Sequence, residues 1–533
     1  MTAPRRWAAL VSLCLATLLV MIDNTIVNVA LPSMSRDLSA TMSDLQWIVD
    51  AYTLAFAGLL ITGGHLGDRF GRRRMLLVGI AGFAAMSIPA ALATSTATLI
   101  VARVGLGVFA ALVFPATLAL LTSVFTVARE RAAAFGIWAA TAGVAVAIGP
   151  VLGGWLIEHG SWASVFWINL PFAAVVAVAV VLLVPAARPA PVGRADVLGL
   201  ALSVAAMGLL IYSVIEGPRH GWTDWRTLGG FVLAAALLAV FVRRQLRSEH
   251  PVLDVRVFRD RRFAAASGLI ALAFFCLFGF IFLITQYFQA VKGYGTLSAG
   301  LHTLPFAVVM AVVSPVAMQA VRRVGVAAVS ATGALLMAGG FALVQFAGAD
   351  ASYWGLIVWS MSAMAAGLAL ISGPCTHVVM TSLPEDRAGA GAAVNDTTRE
   401  FGGALGVAVL GSVLSSVYAS GATNSAVLQQ LPEQARDIAR TSVVAGVEVA
   451  QQAPAQFAGP VLDAVRDAFV TGLHQSVWVA VAVAALAAPA AYLGLRGAAA
   501  DQTSTVIASP PARETQESIQ PASRSAVVSS VSR

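Results

Sequence analysis

The chain has 533 residues, of which 58% are hydrophobic and only 11% charged, with a mean hydropathy of +0.82. A water-soluble domain is about 45–50% apolar and about 25% charged, so this much apolar surface must be solvated by lipid. The net charge of +7 sits in short clusters between apolar runs, where it reports membrane topology and not a nucleic-acid footprint.

At about 20 residues per crossing, the apolar runs predict fourteen helices, over 9–31, 46–65, 75–93, 98–124, 133–157, 163–184, 197–215, 228–242, 263–288, 298–320, 326–347, 353–380, 389–418 and 472–495. Arg5 and Arg6 before the first run mimic a secretory leader. The run is too long and carries Asp23, so it is read as a first crossing that stays attached. With the N-terminus cytoplasmic, the inner segments hold 24 of the 33 basic residues and the outer segments hold seven; a register error of one helix would destroy that bias. Both termini are therefore expected inside. The outer loop 420–471 is long, and Pro432 to Gln452 is expected to form a helix on the membrane surface. The tail over 498–533 is rich in Ser, Thr, Gln and Pro and is expected to be disordered. Cys14, Cys276 and Cys375 all lie in apolar runs without disulfide or metal spacing. No phosphate loop, nucleophile elbow or zinc motif occurs, so neither enzyme activity, cofactor nor metal is expected, and uphill transport would draw on an ion gradient.

Charged residues inside the apolar runs are the candidate functional groups, because a carboxylate in a bilayer helix costs about 2.5–3.5 kcal/mol on insertion scales. Helix 1 carries Asp23, Asn24 and Asn28; helix 4 carries Arg103 at a matching depth, so the two are expected to pair. The other reading of helix 1 is a structural polar network. Helix 13 carries Asp396, Arg399 and Glu400; Asp396 and Glu400 share a helical face, and Arg399 is one turn from Asp396. Asp50, near the outer end of helix 2, is expected to reach water. His302, His377 and His474 are expected to pack or to meet water, and Tyr52, Trp138, Tyr287 and Phe306 are candidate cavity aromatics.

Three stretches carry a family resemblance. The turn Gly64-His65-Leu66-Gly67-Asp68-Arg69-Phe70-Gly71-Arg72-Arg73-Arg74 between helices 2 and 3 resembles the signature of the first half of the major facilitator superfamily. The Gly143 to Gly154 stretch of helix 5, with Gly149-Pro150 and Gly153-Gly154, resembles the signature of its exporters. Gln46 to Leu54 and Trp162 to Phe172 are similar to the fourteen-helix drug:proton antiporter branch. Arg103 falls at the Arg of the helix 4 pattern, with Leu106 in place of its Gln.

The resemblance implies an all-α membrane protein of major facilitator fold, with two six-helix halves and a two-helix linker hairpin. The expected divisions are 1–185, 186–262 and 263–497, followed by the tail. It also implies proton-coupled export of lipophilic, often cationic, compounds by alternating access. The turn would act as a cytoplasmic latch through Gly64, Gly67, Asp68, Arg69, Gly71, Arg72 and Arg73, with Asp68 facing a helix N-terminus or Arg129 and Arg131. Gly143, Gly149, Pro150, Gly153 and Gly154 would form the antiporter motif. Asp23, Arg103, Asp396, Arg399 and Glu400 are the candidate coupling groups. The partners would be a small-molecule substrate, protons and the bilayer. A dedicated exporter of one secondary metabolite or lipid, and a non-transporting receptor, are the alternatives.

Overall fold

The computed structural model describes residues 3–185, 196–248, 255–382 and 388–496, all helix, turn or coil with no strand among them. The tail from 498 and the connection at Arg194 and Ala195 lie outside the described residues.

The first six crossings are α1 (Ala3–Leu38), α2 (Met42–Phe70), α3 (Arg72–Ala91), α4 (Thr96–Val124), α5 (Ala128–Glu158) and the pair α6 (Ser164–Trp167) and α7 (Asn169–Leu183). Then come α8 (Val197–His220) and α9 (Trp225–Arg247), turned through Gly221 at a φ of 100°. The last six crossings are built from α10 (Arg261–Gln286, extended by a π turn to Val291), α11 (Thr296–Leu301), α12 (Leu304–Leu343), α13 (Val358–Thr381), α14 (Ala388–Asn424), α15 (Glu433–Thr441), α16 (Val443–Gln452) and α17 (Ala455–Gly494). Side chains start several of these helices: Thr41 and Asp44 form a reciprocal cap on α2, and Asp196, Asp224 and Asp260 cap α8, α9 and α10.

Among the described residues, thirteen continuous segments are long and apolar enough to cross a bilayer, against fourteen expected. One of them, Thr296–Phe346, has 51 residues. At 1.5 Å per residue that is about 77 Å, more than twice a hydrocarbon core of about 30 Å. Inside it Gly325 leaves the helix at φ 84°, ψ 160°, so the tenth and eleventh crossings meet there in a tight reversal. Fourteen crossings result.

The long outer loop differs from expectation. Instead of floating on the membrane surface, α15 and α16 pack against the bundle, burying Ala439, Val443, Val444, Gly446, Val449 and Ala450. The Tyr418 hydroxyl of α14 donates to the carbonyls of Ala439 and Ser442 at 2.7 and 3.1 Å. The Ser442 and Ser35 hydroxyls are 3.4 Å apart, linking this cap to the outer end of α1. Two buried tyrosine-held carbonyls and a run of small apolar residues explain why the segment docks.

The hairpin α8–α9 packs on both halves. Its first helix wedges between α2 and α14. Ile211, Val214 and Ile215 form a buried cluster with Ala404 and Ala408, flanked by Trp47 and Leu54. Its second helix turns Val232, Leu233, Leu238 and Val240 outward, a face suited to lipid.

Candidate functional site

Contacts between the two halves lie on the outer side. Gln289 donates to the Val29 carbonyl at 3.0 Å, and Thr296 donates to the Gly154 carbonyl at 3.0 Å. Along α5, Ile137, Val144, Ile148 and Trp155 are exposed, and Gly136 and Gly143 have open space where a side chain would begin.

The Gly143 to Gly154 stretch lets α5 approach its neighbours closely. A Cβ on Gly149 would strike the Thr25 hydroxyl, and one on Gly153 would lie 2.6 Å from Ile26. These two glycines let α5 press on α1. Gly154 serves the other half, since a Cβ there would stand 2.5 Å from the Thr296 carbonyl oxygen. The Pro150 carbonyl in turn crowds the position of a Cβ on Gly300. Gly143, at the start of the stretch, makes no such contact.

Within the first half the structure brings Asp23 and Arg103 together. The Arg103 Nη1 lies 2.5 Å from Asp23 Oδ2, with both side chains completely buried. Arg103 also donates through Nε to the Ile48 carbonyl at 2.9 Å, and its guanidinium sits 4.2 Å from the centre of the Tyr52 ring. The second carboxylate oxygen accepts from Asn169 Nδ2 at 2.9 Å, and the same amide reaches Ser87 Oγ at 3.2 Å. Five helices therefore meet on one charge pair. Arg103 Nη2 is buried without a partner among the described residues. Leu106, one turn along α4, offers it none. Asn169 and Ser87 were not anticipated; their signal was a lone amide and a lone hydroxyl in otherwise apolar runs.

The turn between α2 and α3 is held differently from expectation. Asp68 pairs with Arg72 at 2.8 Å and not with Arg129 or Arg131, because the turn at Gly71 (φ 99°) restarts the helix four residues on. Arg72 then donates to the Ala119 carbonyl at the inner end of α4, at 3.1 Å. Arg73 reaches the Val181 carbonyl of α7 at 2.5 Å. The acid facing α1 is Glu130, 2.7 Å from Arg6. Gly64 and Gly67 lie in the last turns of α2, where Gly64 passes close to Pro115, and Arg69 folds over the Phe70 ring.

In the second half, α14 carries Asp396, Arg399 and Glu400. Arg399 stands 3.8 Å from Asp396, donates to Thr376 Oγ1 at 2.9 Å and lies over the Phe274 ring. Asn395 links Asp396 to Thr376. Glu400 is 6% exposed, and its Oε2 has no partner among the described residues. Asp50 contradicts the expectation that it reaches water. It is fully buried and neither oxygen has a partner among the described residues, because α14 and α8 cover the face of α2 that carries it. Tyr52 and Tyr287 are equally buried, and Tyr287 lines a small cavity with Phe280, Ile284 and Leu356. His302 packs between Tyr294 and Tyr353, and His474 meets the Ala347 carbonyl at 3.1 Å.

Comparison with known proteins agrees with this architecture. A family model described as Major Facilitator Superfamily matches residues 13–407. The chain is 34% identical over 91% of its length to the tetracenomycin C resistance and export protein of Streptomyces glaucescens, covering 91% of that protein. It is 35% identical over 92% of its length to the multidrug efflux pump LfrA of Mycolicibacterium smegmatis, covering 96% of it. It is 32% identical over 87% of its length to the methyl viologen resistance protein SmvA of Salmonella typhimurium, covering 93% of it. Among solved structures, an inward-facing bacterial homologue of the lysosomal transporter Spinster superposes with a TM-score of 0.66 over 93% of this chain and 98% of that one, at 19% identity, a likeness of fold alone. By family model, relatives and fold, the chain is a multi-pass membrane protein that belongs to the major facilitator superfamily.

Proposed function

We propose that this protein is a proton-coupled exporter of lipophilic, often cationic, small molecules, working by alternating access in the cell membrane with both termini cytoplasmic. It belongs on this reading to the fourteen-helix drug:proton antiporter branch, with halves over 1–185 and 263–497 and the hairpin in 186–262. The observation that carries the reading is Glu400, a carboxylate buried in α14 with one oxygen unpartnered among the described residues. Such a group can hold a cation or a proton, but not both at full strength. A proton arriving from outside at Glu400 or Asp23 weakens the hold on a cationic substrate. The halves then rock, and the Asp68–Arg72 turn latches the inner side. Asp396 and Arg399 set the charge beside Glu400.

At about 150 mV, one charge moving inward supplies about 3.5 kcal/mol. That sustains a gradient of roughly 300-fold for a neutral substrate, enough for resistance. The drug-resistance names of the relatives support small-molecule export. The likeness to a tetracenomycin C exporter favours a second reading, a pump dedicated to one metabolite. Efflux of ethidium from energised cells tests the main one: collapse of the proton gradient by an ionophore should abolish it. Unaltered efflux would refute the proposal.

A further inference from the structure

Asp50 stands outside the network just described, and the body of α2 separates the two. On a helix of 3.6 residues per turn, Asp50 projects about 160° away from Tyr52, which touches Arg103. It projects instead within about 40° of both Gln46 and Leu54. Gln46 donates to the Val407 and Ala408 carbonyls of α14, and Leu54 joins the cluster shared by α8 and α14. Asp50 therefore faces the seam where the two halves and the hairpin meet.

The seam outward of Asp50 is polar. One turn out, Gln46 Nε2 reaches Ser412 Oγ at 3.3 Å, and that hydroxyl donates to the Val214 carbonyl of α8 at 2.8 Å. At the mouth, Glu216 of α8 accepts from Ser43 at 2.9 Å and from Trp47 at 3.4 Å, with Arg219 3.8 Å away on the exposed side. Tyr212 of α8, its ring tilted against Trp47 at 6.1 Å, is the other titratable group beside this seam. Arg399 is turned away toward Thr376 and Phe274. A fully buried carboxyl without a donor, at the inner end of a polar file that begins at an acid near the outer surface, has the layout of a proton site served from outside.

We propose that Asp50 carries a proton in each transport cycle, loaded from the outer phase past Glu216 when the seam between α2, α8 and α14 parts, and that the α8–α9 hairpin is the wall that keeps it dry when the seam is shut. The proton leaves outer water for an Asp50 oxygen and departs to the inner phase when the halves rock, so one positive charge crosses. This gives the linker hairpin a part in coupling. It rests on the proton-coupled reading above.

The test uses the full-length protein in liposomes with ethidium as probe, read two ways: export driven by an imposed pH gradient, and gradient-free exchange. Asp50→Asn should lower gradient-driven export at least tenfold while exchange stays within about twofold of wild type. Asp50→Glu should recover most of the gradient-driven rate. Glu216→Gln should raise several-fold the external proton concentration that gives half the maximal rate. Wild-type gradient-driven export in Asp50→Asn would overturn the assignment. Parallel loss of export and exchange in both Asp50 variants would also overturn it, by showing a packing role. An unchanged external pH dependence in Glu216→Gln would remove the hairpin from the path. If the wild type itself ignores the gradient, the proton-coupled reading falls first and takes this one with it.

Discussion

Arg103→Leu is the perturbation whose consequence the geometry fixes most closely. Arg103 and Asp23 are both fully buried, and the replacement removes the 2.5 Å ion pair, the 2.9 Å bond to the Ile48 carbonyl and the contact with the Tyr52 ring. Asp23 would keep one donor, Asn169. Breaking a buried pair from one side costs about 3–5 kcal/mol, largely because the remaining charge is left uncompensated. Asp23→Asn alone leaves the guanidinium in the same position from the other side. The double variant Asp23→Asn, Arg103→Leu removes both charges and should recover about 2 kcal/mol or more of the summed loss, well beyond the few tenths expected of independent sites. Thermal unfolding of the four proteins in one detergent completes the cycle. Both single variants should unfold well below wild type, with the double variant above their additive expectation. Single variants as stable as wild type, or strict additivity, would refute the claim that these groups form one unit.

Four other outcomes follow from particular contacts. Gly154→Val should drive the outer closure apart, because a side chain there meets the Thr296 carbonyl at 2.5 Å. A cysteine placed at the outer mouth should then react several-fold faster with an impermeant thiol reagent, over a low background since the three native cysteines are buried. Asp68→Asn should change stability by less than about 1 kcal/mol, since its pair with Arg72 is about one-third exposed, yet should lower transport at least tenfold; intact transport would remove the latch. Glu400→Gln should abolish export of methyl viologen while sparing neutral substrates, and equal losses of both would exclude it from recognition. Asp196 caps α8: burial pushes its carboxyl up, but hydrogen bonds from Arg244, the Gly199 amide and Gln245 outweigh this and hold it below the usual range. The stability that Asp196 gives the hairpin should be complete above the unfolded value of about 3.9 and lost as pH falls through the lower folded one. Asp196→Asn should therefore differ from wild type at pH 7 and converge with it in strong acid, as read by thermal unfolding.

Much of the architecture was legible because the bilayer imposes it. Length and apolarity located the crossings, and the arginine bias fixed their number even where the tenth and eleventh run together through Gly325. The Asp23–Arg103 contact was legible from depth alone, since two opposite charges at one level of a dry bundle have few other ways to be satisfied. Depth says nothing about azimuth, however. Nothing in the spacing of Asp50 reveals that α8 and α14 cover its face, so a residue near a helix end was read as wet. The same blindness hid Asn169 and Ser87, whose role depends on which helices are neighbours. The position of the hairpin and the docking of α15 and α16 were out of reach for a related reason. Both are settled by packing between segments far apart in the chain, where a largely apolar helix fits lipid and protein equally well by composition.

The most direct test of the account is substrate-stimulated proton movement across liposomes containing only this protein, followed with a pH-sensitive dye trapped inside. Adding ethidium or methyl viologen on the cytoplasmic side should move protons in the opposite direction, and Glu400→Gln should reduce that flux at least tenfold. Substrate transport with no accompanying proton flux in the wild-type protein would contradict the account.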